Sequence, residues 1–239
     1  MGCFAPVQGL LDAFHEYGID PTMEEVRGPM GMLKIDHIRT MLQGERISAL
    51  WRDKYGRDWT EKDVQDVYEL SEKKILEILA DFADPKPYVT ETVASLREMG
   101  MKIGSTTGYT DEMMSIVVPK AKELGYEPDC WFSPNAVGNY GRPYPYMIFK
   151  NMETLGLSDV RAVIKVGDTV SDIREGIHAG MKTVGIVEGS SVLGLSKGEF
   201  DALTEKEQRE QYERAEKIYK EAGADYVIRD IRGLLDIVK

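Results

Sequence analysis

The sequence predicts an α/β protein, a Rossmann-like parallel sheet core preceded by a helical domain. Three observations carry that expectation. Residues 6–82 place apolar side chains at three- and four-residue spacing and contain no convincing strand. From Asp84-Pro85-Lys86-Pro87 onward, short apolar runs alternate with amphipathic ones, the pattern of a parallel sheet covered by helices on both faces. At 239 residues the chain is long enough for one such core with an added domain. The expected division is 1–83 for the helical domain and 84–239 for the α/β core.

In the helical part, Gly18-Ile19-Asp20-Pro21, Gly28-Pro29 and Gly56 supply the breaks. One helix is expected to start at Met30. Thr60 and Asp63 have capping-box spacing and predict a helix running to about Ala80. In the second part VTETVASLREMG (89–100) predicts a helix and MKIGST (101–106) a strand. Then follow a helix from Asp111, a strand near DCWF (129–132), and a helix from Tyr144 to Leu155. The strand RAVIKVG (161–167), a helix through Ile177 and the strand KTVGIV (182–187) come next. A long charged helix from Thr204 to Ala222 and the strand ADYVI (224–228) complete the series. Pro119 falls inside the helix from Asp111 and should kink it.

Composition narrows the function classes. There are 41 acidic and 30 basic residues, a formal net charge of −11, which disfavours a nucleic-acid or anionic-membrane surface. The 2 cysteines, Cys3 and Cys130, make neither a disulfide framework nor a zinc site, so a reducing cytoplasm is the simpler home. No apolar run approaches the roughly 18 residues of a membrane span, and no signal-peptide pattern opens the chain.

In open α/β sheets, ligands bind beyond the carboxyl ends of the strands, so chemistry is sought there. After the first strand, Ser105, Thr106 and Thr107 offer hydroxyls, Gly108 frees the backbone, and Thr110 can cap the next helix. Such a turn suits a phosphate or carboxylate, and equally suits an ordinary capped strand-to-helix connection. Arg142 precedes Pro143 and Pro145, which present its guanidinium rigidly toward an anion or leave it solvated. Asp168 ends an apolar strand and Asp172 lies four residues on. Two carboxylates at a strand mouth repel unless a cation or a hydrogen-bond network separates them, and hard oxygen ligands beside a phosphate favour Mg²⁺. The plainer alternative is a helix cap followed by a solvated acid.

On a helical wheel of about 100° per residue, Met30, Lys34, His37, Ile38 and Met41 share one side, with Leu33 at its edge. Lys34 therefore sits in an apolar arc, one turn from a second group able to carry positive charge. Both features lower a lysine pKa and make its neutral amine available to attack a carbonyl. The alternative is a lysine that snorkels from the edge of a core face.

The ordered set Thr107, Arg142 and Asp168 with Asp172 resembles the second, third and fourth motifs of the haloacid dehalogenase superfamily of phosphotransferases. A closer resemblance comes from GCFAP (2–6), PMGMLKIDHIR (29–39), IGSTTGYT (103–110), GRPYP (141–145), IKVGDTVSD (164–172) and GSSVLGLS (189–196). In this order they are similar to the phosphonoacetaldehyde hydrolases, or phosphonatases. That resemblance implies a haloacid dehalogenase-like core with a helical cap. It implies that Lys34 forms a Schiff base with the aldehyde of phosphonoacetaldehyde, and that the protonated imine makes the carbon–phosphorus bond breakable. Thr107, Gly108 and Arg142 would hold the phosphoryl group, and Asp168 with Asp172 would serve Mg²⁺. Cys3, Met30, His37 and Tyr109 would line or tune the site, with His37 a candidate for proton transfer. A homodimer paired through the caps is implied by the same resemblance.

The family's first motif is a strand ending in an aspartate nucleophile, placed just before the stretch matched by Gly2–Pro6; only Met1 stands there. Asp12 and Asp36 lie on predicted helices and do not replace it. The expectation is a missing first core strand, from a truncated gene or a misplaced start, and a chain with little phosphonatase activity. The loop SPNAVGNYGRP (133–143) also departs from the family's usual form. Two other readings stay open: a phosphatase of the same superfamily acting on another small phosphate ester, and a non-catalytic fragment.

Overall fold

The computed structural model describes residues 4–30, 32–195 and 197–239. They form two compact units, one helical up to Phe82 and one α/β from Ala83. The helical unit contains α1 (Phe4–Glu16), α2 (Met23–Arg27), α3 (Lys34–Gln43), α4 (Glu45–Tyr55) and α5 (Glu61–Ile78). Two capping boxes start its helices. Thr22 and Glu25 cap α2, and Thr60 and Asp63 cap α5, each pair satisfying two otherwise orphaned amides. Arg46 grips the Glu25 carboxylate and holds its pKa down at about 2, tying the α4 start to the α2 cap.

The core of this unit comes from one face of each helix: Leu10 and Phe14, Ile38 and Leu42, Ile47 and Trp51, Val64 and Val67. Each large apolar side chain contributes about 1.5–3 kcal/mol by leaving water. α1 and α5 approach closely because position 9 is glycine. A Cβ there would lie 2.3 Å from Ile75 Cγ1 and 3.1 Å from the Ile75 backbone nitrogen. The helix expected from Met30 is shorter than predicted. After α2 the chain turns through Gly28–Met30, with the Met30 amide bonded to Arg27 O at 3.1 Å, and α3 begins only at Lys34. Pro29 supplies no amide to continue the previous helix, which explains the break.

The second unit holds α6 (Val89–Glu98), β1 (Gly104–Thr106), α7 (Asp111–Glu123), β2 (Cys130–Phe132) and α8 (Tyr146–Leu155). It continues with β3 (Ile164–Gly167), α9 (Val170–Ala179), β4 (Lys182–Ile186), α10 (Lys197–Asp201), α11 (Glu205–Glu221), β5 (Tyr226–Ile228) and α12 (Leu234–Ile237). Every strand pairing is parallel. The expected single sheet is resolved into two ladders, β1–β2 and β3–β4–β5, because β1 and β3 share no backbone pairing among the described residues. Side chains join them instead. Met101, Ile103, Ile164 and Val166 pack around buried Leu96, Val184 and Leu234, and Lys165 on β3 donates to Thr106 Oγ1 on β1 at 2.7 Å.

One helix expectation changes. α8 starts at Tyr146 rather than Tyr144, since a residue preceding proline is disfavoured in helical conformation and Pro145 takes the cap position. α7 runs through Pro119 to Glu123, with Met113, Met114 and Ala121 buried. Among the described residues no helix is long and apolar enough to cross a membrane. Gly9→Ala is expected to destabilise the helical unit by about 1–3 kcal/mol through overpacking against α5. Chemical denaturation followed by circular dichroism measures it.

Candidate active site

The carboxyl ends of β1 and β3 carry the polar groups. At the β1 end, the Thr107 amide extends the pairing to Phe132 O, and its hydroxyl accepts from the Tyr109 amide at 3.0 Å. Thr110 caps α7 by accepting from Met113 N. A Cβ on Gly108 would stand 3.5 Å from a terminal nitrogen of Arg142, so the guanidinium lies over that glycine's backbone. Arg142 itself precedes a cis peptide to Pro143 and pairs with the Asp172 carboxylate.

Asp172 is the hub of the β3 end. Its Oδ2 accepts from the Thr169 hydroxyl at 2.7 Å and the Thr169 amide at 3.2 Å, closing the capping box of α9. Its Oδ1 faces two cations, Arg142 and the Lys165 ammonium, the latter at 3.0 Å. Burial works to raise the Asp172 pKa, but Arg142, Lys165 and Thr169 outweigh it and hold the carboxyl well below the usual carboxylate range. Gly167 makes this geometry possible: a Cβ there would fall 2.1 Å from Asp172 Cβ.

Lys165 also reaches Glu175 Oε2 at 2.7 Å, and Thr106 donates its hydroxyl to the same oxygen at 2.9 Å. Glu175 is fully buried, and its Oε1 has no hydrogen-bond partner. Two cations and two carboxylates thus balance inside a low-dielectric pocket, where a missing partner is costly. Asp168 stands apart from this group. Its Oδ2 accepts from Lys86 at 2.7 Å, and Lys86 donates to Gly189 O at 2.9 Å.

Magnesium requires a near-octahedral shell of oxygens. The Asp168–Asp172 pair read from the sequence would supply only part of one, the rest coming from water and substrate oxygens. Asp172 is committed to two cations and a helix cap, and no group of three or more His, Cys, Asp or Glu among the described residues could hold a metal. The described residues supply one exposed-side carboxylate, Asp168, rather than a ligand set.

In the helical unit, Lys34 opens α3 with a side chain only 13% exposed. Its ammonium meets Glu72 Oε1 on α5 at 3.1 Å. Burial lowers the Lys34 pKa, and Glu72 acts in the opposite direction. His37 is buried and its Nε2–H donates to Val26 O at 2.8 Å; burial depresses its pKa to about 4. It is therefore neutral near pH 7. The expected second positive charge beside Lys34 is absent, and burial alone lowers the lysine. Met30 packs half-buried against the helical core. Cys3 lies outside the described residues.

Sequence reading missed Lys165, Glu175, Lys86 and Glu72. A lysine inside an apolar strand was a signal for Lys165, and Glu175 lies three residues from Asp172 on the same helix face. Nothing local marks Lys86 or Glu72, which gain meaning only from partners 82 and 38 residues away.

A haloacid dehalogenase-like hydrolase model matches residues 8–180, and a HAD-hydrolase-like model matches residues 139–234. The chain is 50% identical over 233 residues to a phosphonoacetaldehyde hydrolase of Lysinibacillus sphaericus, covering 98% of this chain and 87% of that one. It is 45% identical over 238 residues to phosphonoacetaldehyde hydrolase of Bacillus cereus, covering 100% of this chain and 90% of the relative. The crystal structure of a phosphonoacetaldehyde hydrolase-like protein from Oleispira antarctica superposes with a TM-score of 0.93 at 35% identity, covering 98% of this chain and 85% of that one.

Asp172→Asn should cost about 3–5 kcal/mol by removing the carboxylate that faces Arg142 and leaving Lys165 with Glu175 alone. The depressed pKa means wild-type stability from this group is complete above the ordinary carboxylate range and drains as pH falls below it. Urea titrations from pH 7 down to pH 3 should show that slope in the wild type and a shallower one in the variant.

Proposed function

The chain belongs to the haloacid dehalogenase-like hydrolase family and, within it, to the phosphonoacetaldehyde hydrolases, and on that premise we propose that it cleaves the carbon–phosphorus bond of phosphonoacetaldehyde to acetaldehyde and phosphate. The observation that carries this reading is the buried amine of Lys34, lowered in pKa by desolvation. A phosphate-ester hydrolase needs no such group, whereas a carbon–phosphorus bond needs an electron sink on the carbon. A protonated imine at Lys34 is that sink. Thr107, Gly108 and Arg142 receive the phosphoryl group, with Arg142 oriented by Asp172. Tyr109 and Met30 shape the surroundings of the reacting groups. His37, neutral with its Nε2–H donated to Val26 O, is the candidate for proton transfer one turn from Lys34.

Asp168 is the residue that would lend an oxygen to Mg²⁺, which when bound supplies charge neutralisation for a transferring phosphoryl group. Asp172 serves it by balancing the cations beside it. None of the 239 residues matches the family's aspartate nucleophile. Imine formation at Lys34 is the step this reading assigns to the helical unit. A cytoplasmic setting follows from the two cysteines, and a homodimer paired through the helical unit from the resemblance.

Incubation with phosphonoacetaldehyde and borohydride should leave a reduced adduct on Lys34, located by peptide mass spectrometry, and Lys34→Arg should abolish it. Wild-type protein without an adduct would contradict the reading and favour a phosphate-ester hydrolase.

A further inference from the structure

Near the start of the α/β unit, the run Asp84-Pro85-Lys86-Pro87 leads into a turn that holds its lysine in one place. Pro85 and Pro87 each fix their own φ, and Pro87 also keeps Lys86 out of the helical region. The Lys86 carbonyl accepts from the Val89 amide at 3.2 Å, closing the turn before α6. Within it Tyr88 has a φ of 67°, a left-handed conformation that bulky side chains seldom adopt. Such a residue persists where its surroundings over-determine it. Here the Arg232 guanidinium lies 3.8 Å from the centre of the Tyr88 ring, and Asp230 accepts from Arg232 at 2.9 and 2.8 Å.

The result is an ammonium aimed at the β3 end. Lys86 Nζ is 2.7 Å from Asp168 Oδ2 and 2.9 Å from Gly189 O, partners 82 and 103 residues away. Arg142 and Lys165 at this end face Asp172, whereas Lys86 faces Asp168. The Lys86 side chain is 37% exposed and that of Asp168 23%, so water and small ions reach the pair.

An ammonium and a divalent cation cannot both take the same carboxylate oxygen, because two positive charges a few ångströms apart repel. We propose that Lys86 is an internal counter-cation that occupies Asp168 Oδ2 until a divalent metal ion binds, and that its release sets the metal affinity of Asp168. This rests on the reading of Asp168 as the metal-facing carboxylate and deepens it. In the resting protein the lysine neutralises a half-buried carboxylate that would otherwise stand without a partner charge. Breaking that pair opposes metal binding, so the affinity is lower than the carboxylate alone would give. The turn is stiff, so Lys86 leaves by rotating its four-carbon stem while the start of α6 stays in place.

The test uses the 239-residue chain, with Mn²⁺ as the metal probe. Trace acetylation by acetic anhydride, quantified by peptide mass spectrometry, reports how free the Lys86 amine is. Lys206, exposed on α11, serves as the reference. Saturating Mn²⁺ should raise Lys86 labelling relative to Lys206 in the wild type. In Asp168→Asn that labelling should already be high and should not respond to Mn²⁺. Mn²⁺ binding, followed by electron paramagnetic resonance of the free ion, should be about 10-fold tighter in Lys86→Met, an effect between those of an exposed ion pair and a buried charged hydrogen bond. Lys86→Arg, which keeps the charge, should not show that gain. A lysine that only braces the turn predicts weaker or unchanged Mn²⁺ binding in Lys86→Met, and either result overturns the proposal. So does Mn²⁺ binding to the wild type that leaves Lys86 labelling unchanged. No Mn²⁺ binding to wild type or Lys86→Met overturns the metal reading of Asp168 and this inference with it. The wild-type labelling needs no substitution, so it stands apart from how any variant folds.

Discussion

The Lys165 ammonium is the constraint on which the α/β unit depends. Backbone hydrogen bonds do not link β1 to β3 among the described residues, so their relative position relies on side chains. Lys165 reaches Thr106 across that gap and meets Asp172 and Glu175 on its own side. A charge this buried is tolerated only because two carboxylates neutralise it and a hydroxyl completes its hydrogen bonds. The same set positions Arg142 through Asp172 and so decides where the one guanidinium of that loop can act. Structure and site share one electrostatic network here.

That sharing limits what Asp172 could offer a metal ion. A carboxylate can offer about four lone-pair directions. Those of Asp172 are spoken for by Thr169, Arg142 and Lys165. Asp168, one residue past the strand, holds a single lysine and remains the more available oxygen. The two acids look equivalent in the motif and differ in environment, and environment assigns their roles.

The helical unit solves a different problem, keeping an amine reactive without stranding it. Lys34 is at the first position of α3, where its stem can lie against Ile38 and the core while its nitrogen meets α5. Desolvation favours the neutral amine; Glu72 favours the ion.

Much of this was legible in the linear chain because it is local. Capping boxes at Thr60 and Thr169, alternating apolar strands, and the hydroxyl, arginine and aspartate motifs depend on neighbours within a few residues. The resemblance carried by PMGMLKIDHIR and IKVGDTVSD likewise identified the family from contiguous strings. The start of α3, the split between the two ladders and the true partners of Lys34, Asp168 and Asp172 were not legible. Each is decided by groups far apart in sequence, Glu72 for Lys34, Lys86 for Asp168 and Arg142 for Asp172. Periodicity states which face of an element is buried. Only the packed fold states which charge lies opposite, and in a low-dielectric interior that opposite charge sets both protonation and role.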